Sequence, residues 1–228
     1  MKLNINKCKQ ILENNPQFKS VLSKIYNFVS NNKRKIKGVN NKIEINTTFM
    51  KNSKITIIGN NNKIHFGDMC YLANTDILIS GDNNEVILGN KVYVNGGKIC
   101  LEDSNNILKI GNRTTFSGDT HLAVTEGRSI SIGDRCLFSS NVIFRTGDSH
   151  SIIDNEGNRI NHAKDIFIGK HVWFTQNTTI LKGVTINDDS IVATGSVVTK
   201  SFPQTNVILA GNPAKVIKEN VNWDIERK

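Results

Sequence analysis

From Ile168 onward a bulky apolar residue returns at every sixth position, through Phe174, Ile180, Ile186 and Val192 to Val198. Four residues after the first five of these stand Val172, Thr178, Val184, Ser190 and Ser196, so each hexad joins one large residue to one smaller one. Neither the 3.6-residue period of an amphipathic helix nor the alternation of a half-buried strand fits this rhythm. It predicts a parallel β-helix, in which each short strand is one side of a prism and buries its apolar residue against the coils above and below.

A longer repeat lies upstream. Phe66, Leu88, Ile110 and Ile132 are each 22 residues apart and end the matching segments Asn62 to Phe66, Asn84 to Leu88, Asn106 to Ile110 and Arg128 to Ile132, each followed by glycine; Asn41 to Ile45 precedes the series. Three hexads need fewer residues than this, so each upstream coil carries extra residues at a corner, where Gly59-Asn60-Asn61, Gly81-Asp82-Asn83 and Asp103-Ser104-Asn105 supply turn chemistry. The interval from Ile132 to Ile168 is 36 residues, one coil plus 14. Insertions leave a solenoid as loops on one face, often the binding face, so residues 145–164 are the place to look for chemistry.

Residues 39–217 therefore read as one elongated all-β domain with that inserted loop, preceded by an arm (1–38) and followed by a tail (218–228). The net charge of +9 is concentrated in the arm, which holds nine Lys and Arg against Glu13 alone. Phe18, Val21, Leu22, Ile25, Phe28 and Val29 recur at helical spacing after Pro16, predicting an amphipathic helix that ends before the basic run 33–37. Its apolar face suits a cap on the open end of the solenoid, with trimer partners or a membrane surface as the other uses. The basic run suits an anionic glycan or phospholipid as much as simple solvation. Nucleic acid is not indicated, because the cations are not interleaved with stacking aromatics.

The four cysteines, Cys8, Cys70, Cys100 and Cys136, form no metal or disulfide pattern, and Cys70 and Cys136 fall at small inward positions. A reducing cytoplasm fits. The Lys-rich start lacks an apolar leader core, and no run approaches the roughly 18 apolar residues of a spanning helix. The expectation is a cytoplasmic protein, at most peripheral to the inner face of the membrane.

Several segments resemble the hexapeptide-repeat acyltransferases: Ser149-His150-Ser151-Ile152, Gly157 to Asn161, Ile168 to Trp173, Ile180 to Ile186, Thr194 to Lys200 and Ala210 to Ile217. Over roughly 128–218 the chain looks like the branch that O-acetylates bacterial capsule and lipopolysaccharide, the polysialic acid O-acetyltransferases included. The resemblance implies a left-handed β-helix, which the period alone does not determine and which departs from the usual right-handed crossover. It further implies a homotrimer with active sites between neighbouring prisms, acetyl-CoA in the groove between two β-helices, and a loop histidine as base.

That loop histidine is His150. A sugar hydroxyl is a poor nucleophile at neutral pH, and imidazole titrates in the range a base needs. Among the others, His65 reads as a solvated strand residue, His171 as polar filler, and His162 as a loop residue without a motif partner. His121, near the corner of the preceding coil, is the rival. Asp148 and Asp154 are both near enough in sequence to orient the ring, and Asp148 is preferred. The resemblance puts Trp173 beside the active site, although packing on the prism face or a trimer interface would use a tryptophan equally well. The positions matching an acetyl-CoA site are Thr175, Ala193, Thr199, Lys200 and Lys215, with backbone amides near Thr175 and Ala193 for the pantetheine arm and the two lysines for the phosphates. Relatives carry glycine where Thr175 and Gln176 stand.

No metal is expected: a carbonic anhydrase on the same prism needs converging imidazoles that the histidine spacing does not supply. A cysteine acyl-enzyme is disfavoured because no cysteine lies in the insertion. A non-enzymatic scaffold would lack the inserted loop. Within acetyl transfer, the alternative is an N-acetyltransferase of amino sugars, or one acting on a small molecule such as an antibiotic.

Overall fold

The computed structural model describes residues 16–228, and Cys8 and the first arm lysines lie outside them. Helix α1, Pro16–Val29, precedes a parallel β-helix with strands on three faces. The first face carries Phe49–Lys51, Thr115–Phe116, Leu137–Phe138, Trp173–Phe174 and Ile191–Val192. The second carries Lys54–Ile58, Thr120–Val124, Val142–Arg145, Thr179–Ile180 and Val197–Val198. Tyr71–Ser80 and Tyr93–Glu102 run unbroken from the first face onto the second. The third face runs from Lys42–Glu44 through Lys63–Phe66 and Ser129–Ile132 to Thr185–Ile186.

Parallel registry stacks like on like, and the sequence periods become columns. Phe66, Leu88, Ile110, Ile132, Ile168 and Ile186 stand one above another on the third face, all buried. Ile55, Ile77, Ile99, Leu122, Phe144, Ile180 and Val198 fill the second face. On the first face Phe138 stacks between Phe116 and Phe174 at centroid distances of 4.3 and 4.7 Å. Each such side chain contributes about 1.5–3 kcal/mol by leaving water, repeated from coil to coil.

Corners are held by a second set of columns. Asn62, Asn84 and Asn106 are fully buried, and each presents its side-chain oxygen to the backbone N–H one coil on, at 2.9, 2.9 and 3.2 Å. The 22-residue repeat thus encodes an internal amide ladder as well as turns. At the Gly81 corner (φ +131) a Cβ would lie 2.1 Å from the Asp103 carbonyl oxygen, so only glycine fits.

Cys70, Cys100 and Cys136 are buried and unpaired, and burial pushes the Cys136 thiol up to about 12. Two boundaries differ from the sequence reading. Lys33–Lys37, assigned to the arm, is the first strand of the solenoid and pairs in parallel with Lys54–Ile58. The final hairpin, Val207–Gly211 with Ala214–Glu219, carries the solenoid past residue 217. Helix α1 does cover the open end, but not with its apolar face. Ser23 is buried, Tyr26 meets Phe49 edge-on at 5.6 Å, and Asn27 donates to the Thr48 carbonyl and accepts from the Met50 N–H.

Candidate active site

The 36-residue interval contains, after strand Val142–Arg145, a loop that leaves and rejoins one coil before Ile166–Ile168. Thr146 closes it by accepting the Lys164 N–H at 2.8 Å. Within it, Ile153 and Arg159 form an antiparallel bridge, and Asp154 builds the tip by accepting the N–H groups of Glu156 and Asn158. Asp154 is thereby committed to the turn, and these bonds hold its carboxyl below the usual range.

The root of the loop is tied by Asn161, which is 7% exposed and uses both ends of its amide. Its nitrogen donates to the Asp148 carboxylate and to the His150 carbonyl, each at 2.8 Å. Its oxygen accepts the Ile152 N–H at 2.7 Å and the Arg159 Nε–H at 3.1 Å. Lys182, from the next coil, donates to Asp148 and to the Asn161 carbonyl. Arg159 pairs with Glu126 of the coil beneath, and Glu126 also accepts the Ala163 N–H. Lys182 is the main reason the Asp148 carboxyl lies below its usual range, and Arg159 does the same for Glu126.

These ties wall a cleft of about 340 Å³ on the second face, lined by His150, Ser149 and Asp148 from the loop and by Lys98, Cys100, His121 and Arg145 from the strands beneath. Registry explains the floor: His121 sits directly beside Lys98, and Ala123 lies between Cys100 and Arg145. Burial, then the Arg145 and Lys98 charges, holds the His121 imidazole below its ordinary value. His150 is exposed at the rim, with no hydrogen bond to its ring among the described residues. Asp148 is linked to the His150 backbone through Asn161, and no hydrogen bond joins it to the ring among the described residues.

The other residues named from sequence lie elsewhere on the prism. Trp173 is on the first face, packed at 5.8 Å against Trp223 of the tail, and its buried indole N–H has no partner among the described residues. Trp223 also stacks on His171 at 4.2 Å and donates to the His171 carbonyl, contacts with no precursor in any sequence motif. His171 further bonds Asp189, and His65 pairs with Glu44. The amides of Thr175 and Ala193 are consumed by the Val192 and Leu209 carbonyls. Any pantetheine donors near these positions are therefore neighbouring amides and not these two. Thr199, Lys200 and Lys215 are exposed near the C-terminal end, with Lys200 5.9 Å from the Phe202 ring. None of these first-face and C-terminal residues lines the cleft with His150.

Asn161, Lys182, Glu126 and Arg159 were missed in the sequence, because Glu126 and Lys182 reach the loop only through coil registry. Arg159, Asn161 and Lys182 stood inside quoted motifs without a role, and Glu126 stood in none.

No family model matches the chain. Among curated proteins, it is 42% identical over 83 residues to the polysialic acid O-acetyltransferase of Escherichia coli O1:K1 and 40% identical over 80 residues to that of Neisseria meningitidis. Those alignments span 27% and 37% of the relatives' lengths, and 36% and 35% of this chain. Among solved structures, the polySia-specific acetyltransferase NeuO superposes with a TM-score of 0.79 at 32% identity, covering 86% of this chain and 90% of that one. The polysialic acid O-acetyltransferase OatWY superposes with a TM-score of 0.80 at 36% identity, covering 86% and 92%. The fold is the left-handed parallel β-helix of these enzymes. With most of both chains superposed at more than 30% identity, the protein belongs to the hexapeptide-repeat acetyltransferases and resembles the polysialic acid O-acetyltransferases among them.

Proposed function

We propose that the protein transfers acetyl from acetyl-CoA to a hydroxyl of a bacterial surface polysaccharide, on the cytoplasmic side, with His150 as general base. The observation that carries this reading is a cleft in which His150, its backbone tied by Asn161, opens beside a second imidazole, that of His121, among charges of both signs (Lys98, Arg145, Glu102, Asp103). The acceptor hydroxyl attacks the thioester carbonyl as His150 takes its proton. The tetrahedral intermediate then collapses, forming the ester and expelling the CoA thiolate, which receives the proton from the imidazolium.

The relatives, and not net charge, favour an anionic acceptor, because Glu102 and Asp103 line the cleft beside Lys98 and Arg145. Lys98 and Arg145 line the cleft without a carboxylate partner among the described residues, Arg145 being bonded only to the Ser149 hydroxyl. Arg159 is already neutralised by Glu126. The two cations can pair with the carboxylate of an acidic sugar such as the sialic acid in the relatives' names.

Trp173, Thr199, Lys200 and Lys215 belong to the same reading only across a homotrimer, where the first face of one prism meets the second face of its neighbour. The lysines then serve the CoA phosphates, and the free amides beside Thr175 and Ala193, those of Gln176 and Thr194, serve the pantetheine arm.

The test is product analysis after incubation with acetyl-CoA and a panel of neutral, anionic and amino-sugar acceptors. Alkali-labile O-acetyl esters on an anionic polymer are expected. Alkali-stable amides on amino sugars would instead establish an N-acetyltransferase.

A further inference from the structure

Helix α1 turns its apolar stripe outward. Val21, Ile25 and Phe28 follow one another at intervals of four and three residues, and with Val29 they are 53, 57, 90 and 70% exposed. The opposite side, through Ser23, Tyr26 and Asn27, closes the end of the β-helix. Asn32 locks the junction, donating to the Asn27 and Met50 carbonyls and accepting the Ser53 N–H. The helix is thus fixed by its polar side, and the stripe is not needed to cover the solenoid.

The charge around this stripe has one sign. Residues 20–43 contain six Lys or Arg and no acidic residue. Lys24 and every residue of Lys33–Lys37 are exposed, and none of these cations is in an ion pair among the described residues. Strand Lys33–Lys37 opens the first coil, so the cations and the stripe share one end of the prism.

We propose that this end is a docking surface for an anionic lipid bilayer, with Val21, Ile25, Phe28 and Val29 entering the headgroup boundary and Lys24, Lys33, Arg34, Lys35 and Lys37 meeting lipid phosphates. An apolar ridge bordered by cations is the pattern that binds such interfaces, because each element alone gives marginal affinity. A second copy of the same end is a poor occupant, since it would bring two like-charged strips face to face. The geometry is useful to an enzyme acting on membrane-borne glycans. Registry runs Lys35, Thr56, Leu78, Cys100, Ala123, Arg145, so the cleft stands up to five coils, about 24 Å, from the docking end at roughly 4.8 Å per coil. The docking surface is independent of the acetyl-transfer reading.

The test is sedimentation of the full chain with vesicles of phosphatidylcholine alone or with phosphatidylglycerol at about 3:1. The chain is expected to favour the anionic vesicles by about tenfold or more and to release them at high salt. Ile25→Ser with Phe28→Ser, and separately Lys33→Ala with Lys35→Ala, should each weaken binding about tenfold or more with unchanged melting temperature, since all four side chains are exposed. Equal affinity for both vesicles, or none for either, overturns the proposal. So does a smaller oligomer in Ile25→Ser with Phe28→Ser accompanied by unaltered vesicle binding, which would make the stripe a contact between copies of this chain.

Discussion

Asn161 donates its side-chain N–H to the carbonyl oxygen of His150 at 2.8 Å, so the backbone of the proposed base hangs from one buried amide. The same nitrogen also engages Asp148, and the oxygen of that amide holds Ile152. Removing the amide frees the residues on both sides of His150 without opening the prism core. Asn161→Ala is expected to lower kcat about tenfold to a hundredfold, in line with the cost of a misplaced catalytic group, while the far-ultraviolet spectrum stays unchanged. Steady-state kinetics beside circular dichroism check this.

The salt bridge from Lys182 to Asp148 makes a prediction with a defined sign. A carboxyl whose folded value lies below its unfolded one stabilises the fold above the unfolded value, near 3.9, and loses that contribution as pH falls through the folded one. The loop root therefore stays charged and tied throughout the neutral range and loosens only in acid. In Lys182→Met the Asp148 titration should move upward, so the loop loosens at a less acidic pH. Carbon-13 NMR of the Asp148 carboxyl follows the shift directly.

His121 shares the cleft but sits low in it, where burial and the Arg145 and Lys98 charges disfavour the imidazolium. It is expected to remain neutral at pH 7, serving as a hydrogen-bonding group toward the acceptor. Arg145→Gln should raise its titration midpoint, visible in the imidazole proton resonances. His121→Ala should cost about tenfold in kcat/KM, against the 10²–10⁴-fold expected of a general base at His150.

Asn84 tests the ladder. Its side chain is buried, gives its oxygen to the Asn106 N–H at 2.9 Å and its nitrogen to the Asp103 carbonyl at 2.9 Å. Asn84→Ala strands both groups inside the prism and should destabilise it by about 1–3 kcal/mol. The exposed Asn158→Ala, at the loop tip, should stay within about 0.5 kcal/mol. Denaturant unfolding at matched protein concentration compares the two.

The core was legible because the fold repeats: Ile168, Phe174, Ile180, Ile186, Val192 and Val198 pass twice round the three faces as a six-residue rhythm, and all six are buried. The loop was legible as a break in that rhythm. What holds the loop was not, since Glu126 lies 33 residues before Arg159 and Lys182 lies 34 after Asp148, separations that only coil registry brings into contact. The basic run 33–37 gave no strand signal because its pairing comes from the backbone of the next coil, and its single apolar residue, Ile36, is 48% exposed. The helix was readable in period but not in orientation, because Asn27 and Asn32, rather than the apolar stripe, fix which side faces the prism.

The most direct test of the account is acceptor-dependent release of CoA thiol from acetyl-CoA, with an anionic sialic acid polymer as acceptor, comparing the native chain with His150→Ala. The account predicts release by the native chain and a loss of 10²-fold or more in the variant, at unchanged melting temperature and oligomer size. Undiminished release by a folded His150→Ala would contradict it and move the base elsewhere, with His121 the first candidate in the same cleft.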